Sequence, residues 1–343
     1  MAPRPLLPAR TLALVAAFCL AWLGLGFLVA NPYYQLLLTL VPIWAVLGVS
    51  WNLFSGYSGL VSFGHAAFFG LGAYTAAIAA FHGITNAWLI WVLAILVSGL
   101  AAALVGAMAI RTRGVYFIMI TMAMAQLFYY VFVGFRYYGG DDGLRLVTRP
   151  AVGFGIDLSD ENTFFLLVLI WVVLAHWLLA RLIRSRFGLA LSAIRENDVR
   201  VAAVGYGTSR YRLVAFVIAG VMAGIAGSLL AMHNLFVSPR LLHWTQSGSL
   251  LIMVALGGVG YFYGGIVGAL TFLLLEEVLS SSFTYWHIYV GLILLAVVMV
   301  APGGLCSLLT GRGRSSTPGG SGRAATSSAS GDAATPGAGG GDA

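Results

Sequence analysis

Arg181–Arg212 reads RLIRSRFGLALSAIRENDVRVAAVGYGTSRYR and holds seven of the chain's eighteen arginines, in a sequence with no lysine. Apolar runs long enough to cross a bilayer lie on both sides of it, Thr163–Ala180 before and Leu213–Met232 after. Positively charged segments between spans resist translocation, so this one belongs on the cytoplasmic side. A plain connector needs only a few residues. A segment this long and this patterned points instead to a docking surface for a cytoplasmic partner.

Composition agrees with that reading. The chain is 60% hydrophobic and 8% charged, where soluble domains carry about a quarter charged residues. The fold class expected is an all-α polytopic membrane protein. The net charge of +7 is accounted for by arginines between spans, which set topology and do not imply nucleic acid. Cys19 lies inside the first apolar run and Cys306 just past the last. Two such thiols neither staple a fold nor make a metal site, and no metal is expected. Without lysine there is no Walker A loop and no Schiff base. No cofactor is therefore expected in this chain, and any ATP must be hydrolysed by partner subunits.

The apolar runs then set the topology. Met1–Arg10 precedes Thr11–Ala30, which at about 20 residues is long enough to span and is read as a retained first helix with its N-terminus inside. Tyr33–Trp51 returns, and Gly64–Phe81 and Ala87–Ile110 form the next pair, ending at Arg111 and Arg113. Val115–Phe135 crosses outward to Arg136–Asn162, where Asp141, Asp142, Asp157, Asp160 and Glu161 make the most acidic stretch of the chain. Thr163–Ala180 and Leu213–Met232 bracket the arginine-rich loop. Ser247–Tyr263 and Gly264–Ser281 are two short runs parted by glycines, and Tyr285–Ala301 is the last. The sum is about ten helices, or eight if the short pairs are re-entrant. Either even count puts both termini in the cytoplasm. Residues 1–310 form the expected membrane domain, with 181–212 as its cytoplasmic loop. The Gly/Ala/Ser-rich stretch 311–343 reads as a disordered tail.

Asn52–Ala77, NLFSGYSGLVSFGHAAFFGLGAYTAA, is the densest run of glycine and small polar residues at membrane depth. Non-helical backbone is tolerated there only where protein buries it or it lines a wet cavity. Broken helices of this kind hold polar solutes in transporters, and close small-residue packing explains the composition equally well. On the first reading Asn52, Ser58, Ser62, His65 and Thr75 line a substrate path. His65 on its own reads as a hydrogen-bonded structural histidine. Gly56-Tyr57-Ser58-Gly59 also fits the G-x-S-G of an intramembrane serine protease. That enzyme needs a histidine base within reach of the serine, and the motif recurs by chance in a glycine-rich chain, so the chain is read as a non-enzyme.

In the central loop Leu191, Ile194, Val201 and Ala202 share one face of a helix, with Arg195, Glu196 and Arg200 elsewhere and Asp198 on the apolar side. The mixed charges favour a protein groove over lipid. The coupling residues expected are Ile194, Arg195, Glu196, Asp198, Arg200 and Gly205. Gly220, Gly224 and Gly227, and further on Gly260, Gly264 and Gly268, read as helix-packing surfaces. Glu276 and Glu277 are intramembrane acids that point about 100° apart, and so do not form a pair.

Several stretches together resemble the LivM-type permease subunits of branched-chain amino acid ABC importers, the LivH/LivM family. They are GYSGLVSFGHAAFFGLGAYTAA (56–77), GGDDGL (139–144), SAIRENDVRVAAVGYGTSRYRLVAFVIAG (192–220), GGVGYFYGGIVGA (257–269), EEVLSSSFTYWHIYVGLILL (276–295) and PGGL (302–305). Their order and spacing over Tyr33–Leu309 carry the resemblance. It implies a subunit of an ATP-driven importer in a bacterial inner membrane, moving branched-chain or related small amino acids by alternating access. The partners it implies are a second, LivH-type permease, two cytoplasmic ABC ATPase subunits, a periplasmic solute-binding protein and membrane lipid. Urea and short amides are the alternative solutes within the wider family.

Overall fold

The computed structural model describes residues 21–26, 31–153, 158–301 and 303–310. The expected first span lies outside the described residues except for 21–26, which are helical, and the 311–343 tail lies outside them entirely. The helices are α1 (Pro32–Trp51), α2 (His65–Phe81), α3 (Ala87–Ala109), α4 (Val115–Gly134), α5 (Glu161–Arg184) and α6 (Arg186–Glu196). Then come α7 (Asp198–Ala203), α8 (Thr208–Asn234), α9 (Trp244–Gly257), α10 (Gly264–Ser282), α11 (Trp286–Val300) and α12 (Leu305–Thr310). A two-stranded ribbon pairs Leu144–Arg145 with Phe236–Val237. The chain is an all-α polytopic protein.

Short polar side chains open the helices. Asn31 caps α1, Asn86 caps α3, Asp160 caps α5, Ser185 caps α6 and Asn197 caps α7, each accepting from a backbone N–H of the first turn. Among the described residues, six helical runs are long and apolar enough to cross a membrane: Tyr33–Gly56, Ala87–Ala109, Val115–Gly134, Glu161–Arg184, Thr208–Asn234 and Gly264–Ser282. His65–Phe81 and Trp286–Val297 are shorter apolar helices. Of the two glycine-parted runs, the second is thus a full-length candidate. The first yields α9, whose 14 residues reach only about 21 Å against a hydrocarbon core of about 30 Å. Leu242, just ahead of α9, seats against Gly70 inside α2, where a methyl group would come within 2.5 Å of its Cγ.

Helix α8 is the hub, packed on α1, α2 and α3. A Cβ on Gly72 would sit 1.9 Å from the Gly224 carbonyl oxygen, and one on Gly227 would sit 1.8 Å from that of Phe69. Backbone therefore meets backbone where α2 crosses α8, as the spacing of Gly220, Gly224 and Gly227 predicts. Gly264 and Gly268 likewise press against α9, since a Cβ on Gly268 would lie 2.2 Å from the Met253 carbonyl. Gly260 does not belong to that stripe: it turns the chain between α9 and α10 with φ +81°. Helix α3 buries Ile90, Ala94, Ala101 and Val105 and exposes Trp88, Val92, Leu96, Leu100, Leu104 and Met108 at every fourth position. That one-sided apolar face suits lipid or a second membrane subunit.

Candidate coupling site and solute path

Helices α6 and α7 carry the arginine-rich loop. Asn197, with φ −159° and ψ 99°, breaks the run into two helices, so the single helical face expected from the sequence does not form. Leu191 and Ile194 are each 1% exposed and pack on the chain's own bundle. They anchor α6. Beyond the break the register rotates, and Val199 (67% exposed), Val204 (74%) and Tyr206 (47%) stand outward beside exposed Glu196, Arg200 and Gly205. These exposed apolar residues were not anticipated, because Val199 lies off the face shared by Leu191, Ile194 and Val201.

Asp198 fell on the apolar side in the sequence, and the structure supplies its reason. Its carboxylate lies 3.1 Å from the Arg113 guanidinium and 3.3 Å from that of Arg212. Arg212 opens α8 and is itself buried, so the acid offsets a charge that has little water around it. Arg195 turns the other way: one guanidinium nitrogen donates to the Gly56 carbonyl.

Gly56 ends a π-helical turn, Asn52–Gly56, that continues α1, a distortion frequent at functional sites. Asn52 fills the inside of this turn: its Oδ1 accepts from the Gly260 N–H and its Nδ2 donates to the Tyr261 carbonyl, both at 2.7 Å. Tyr57 and Ser58 are still helical, and the chain then runs without helix over 59–64 until His65, as the broken-helix reading of this stretch has it. Its polar groups are used internally. Ser58 Oγ donates to the Phe54 carbonyl at 2.6 Å, and Ser62 Oγ accepts from the Gly64 N–H at 3.1 Å. Thr75 donates to the Leu71 carbonyl at 2.7 Å. Two residues not anticipated complete the set. Thr121 Oγ1 accepts from the Phe63 N–H at 3.2 Å, while Ser247 Oγ accepts from the Ala66 N–H at 3.0 Å and donates to the Phe63 carbonyl at 2.7 Å. Both come from distant helices, and nothing local in the sequence links them to this segment.

His65 departs from expectation. It is fully buried, its ring lies 6.0–6.3 Å from those of Phe54, Phe68 and Phe216, and neither ring nitrogen has a hydrogen-bond partner among the described residues. Asn52, Ser58 and Ser62 are also buried, so these polar side chains are shielded from solvent in this conformation while Gly59 between them is exposed. Ser58 engages a backbone carbonyl and not a histidine, which removes the geometry a serine protease requires. Glu277 accepts from the Tyr33 hydroxyl on α1.

The family profile described as branched-chain amino acid transport system / permease component matches residues 33–302. The high-affinity branched-chain amino acid transport system permease protein LivM of Salmonella typhimurium is 29% identical over 290 residues, covering 78% of this chain and 68% of its own length. LivM of Escherichia coli K12 is 28% identical over 333 residues, covering 88% of this chain and 78% of its own. The LivH permease protein of Salmonella typhimurium is 26% identical over 290 residues, covering 78% and 92%. No solved structure matches at a significant level. These relatives are transport permeases and not enzymes.

Proposed function

This chain belongs to the family of branched-chain amino acid transport permease components, and from that premise we propose that it is one membrane subunit of an ATP-driven importer. Its solute is a branched-chain or closely related small amino acid. A LivH-type permease is its membrane partner, two ABC ATPases dock on the cytoplasmic face, and a periplasmic binding protein delivers solute to the other side of a bacterial inner membrane. The positions of the arginines support a cytoplasmic location for Arg181–Arg212 and for both termini.

One observation carries the reading. In a chain with no Walker A lysine, a cationic loop anchored inward by Leu191 and Ile194 displays Val199, Val204 and Tyr206 to the outside. Exposed apolar residues rimmed by Glu196 and Arg200 suit a protein groove that supplies both apolar contact and charge. ATP-driven closure of the ATPases pulls this loop and biases the bundle between outward-open and inward-open states. The residues Asn52, Ser58, Ser62, His65 and Thr75 come to line the solute path when the bundle rearranges. The test is reconstitution of both permeases and the ATPases in liposomes with the binding protein. ATP-dependent uptake of leucine, isoleucine or valine supports the reading. Uptake of urea or acetamide alone overturns the solute, and ATP-independent uptake overturns the class.

A further inference from the structure

Arg195 is exposed like the rest of the loop, yet its guanidinium bonds back onto its own chain at the Gly56 carbonyl. Its stem crosses Gly59, where a Cβ would come 3.0 Å from Arg195 Cγ, and its guanidinium enters a slot between Gly56 and Gly260. A Cβ on Gly260 would lie 3.1 Å from Arg195 Nη1, and one on Gly56 would lie 2.2 Å from Asn52 Oδ1 and 2.9 Å from the Gly260 nitrogen. Gly59 and Gly260 thus leave space that the arginine fills, and Gly56 leaves the space in which Asn52 and Gly260 meet. Gly59 and Gly260 both have positive φ, +77° and +81°, so each suits glycine for its backbone as well as its size.

The carbonyl that Arg195 reaches is chemically apt. The last carbonyls of a helix lack intrahelical donors, and the C-terminal end of the helix dipole favours a cation. Gly56 closes the long run Tyr33–Gly56. The same π-turn holds the α9–α10 turn through Asn52, which bonds both Gly260 and Tyr261. One side chain on α6 therefore joins the end of α1, the start of the broken segment and the α9–α10 turn.

We propose that Arg195 is a positioning residue that latches the cytoplasmic end of the bundle shut, so that withdrawing α6 releases the Gly56 carbonyl and frees the Gly56–Gly64 segment to open. This rests on the importer reading above and adds to it where the loop's motion enters the membrane domain. ATPase docking belongs to Val199, Val204 and Tyr206, and Arg195 acts within its own chain.

The experiment places a cysteine at Ser58, with Cys19 and Cys306 replaced by serine, and measures its reaction with a water-soluble maleimide in inside-out vesicles holding the whole importer. Arg195→Ala is expected to raise that reactivity by about fivefold or more, a typical size for conformational coupling. It is also expected to leave the ATPases bound and to lower solute imported per ATP. Arg195→Lys, which keeps a donor of similar reach, is expected to recover much of the coupling. Unchanged Ser58→Cys reactivity in Arg195→Ala overturns the latch, and so does loss of the ATPases, which would make Arg195 a docking contact. Arg195→Gln retains stem packing over Gly59 and repeats the test if the alanine variant fails to fold. Reactivity is read without solute or ATP, so it stands even if the unmodified complex imports nothing, a result that would count against the importer reading alone.

Discussion

Asp198 holds Arg212 at 3.3 Å across the joint between the arginine-rich loop and α8, and reaches Arg113 at 3.1 Å on the other side. The two contacts differ in worth. The Arg212 and Asp198 side chains are 10% and 17% exposed, whereas that of Arg113 is 67% exposed. Removing the acid strands a buried cation, at a cost of about 3 kcal/mol. Removing the exposed arginine costs at most about 1 kcal/mol. Asp198→Ala is therefore expected to expose the loop to limited proteolysis and lower thermal stability in detergent, and Arg113→Ala to do little. Equal effects would contradict this ranking.

The crossing of α2 and α8 gives a second prediction. Gly227→Ala drives a methyl group into the Phe69 carbonyl and Gly72→Ala drives one into that of Gly224, while a Cβ on Gly291 meets nothing within 4 Å. Overpacking a tight contact costs about 1–3 kcal/mol, and here the obstacle is backbone, which has little room to yield. Size-exclusion profiles should show loss of folded protein for the first two variants and none for Gly291→Ala. Normal profiles for all three would mean the helices do not meet backbone to backbone.

Much of this architecture is legible in the sequence, for identifiable reasons. Glycine spacing marks the α2–α8 contact because small residues are what close approach requires. The apolar run marks the start of α3 at Ala87, where Asn86 caps it by accepting from the Trp88 N–H. The site is less legible. Leu191, Ile194 and Val201 suggest one face only if the helix continues, and Asn197 ends it. Thr121 and Ser247 touch Phe63 across 58 and 184 residues, a juxtaposition that only the fold creates. The direction of Arg195 follows from glycines in two other segments, which no local pattern reveals.

Topology is testable by labelling. Val199→Cys and Val147→Cys place thiols at positions 67% and 94% exposed, on opposite sides of the membrane in this account. Cys306 is buried, and burial pushes its thiol up to about 11. It therefore stays protonated and unreactive at neutral pH, and gains reactivity only as pH rises toward that value. With Cys19 replaced, an impermeant maleimide added to intact cells should label Val147→Cys and spare Val199→Cys. Labelling of both from outside would contradict the orientation.

His65 separates packing from solute contact. Its ring nitrogens are buried without partners among the described residues, a state that costs about 1–3 kcal/mol. His65→Phe fits among Phe54, Phe68 and Phe216 and should leave thermal stability equal or higher. If the segment is the solute path, uptake falls sharply in that same stable variant. Full uptake with higher stability would make His65 a core residue only.

The central claim is that Arg181–Arg212 joins this chain to ATPase subunits, and its most direct test is the double variant Val199→Asp/Val204→Asp. Both side chains point away from the bundle, so the membrane domain keeps its fold, as a normal size-exclusion profile would verify. The account predicts a permease that no longer retains the ATPases on purification and imports no solute with ATP. Normal retention of the ATPases and normal ATP-driven uptake by this variant would contradict it.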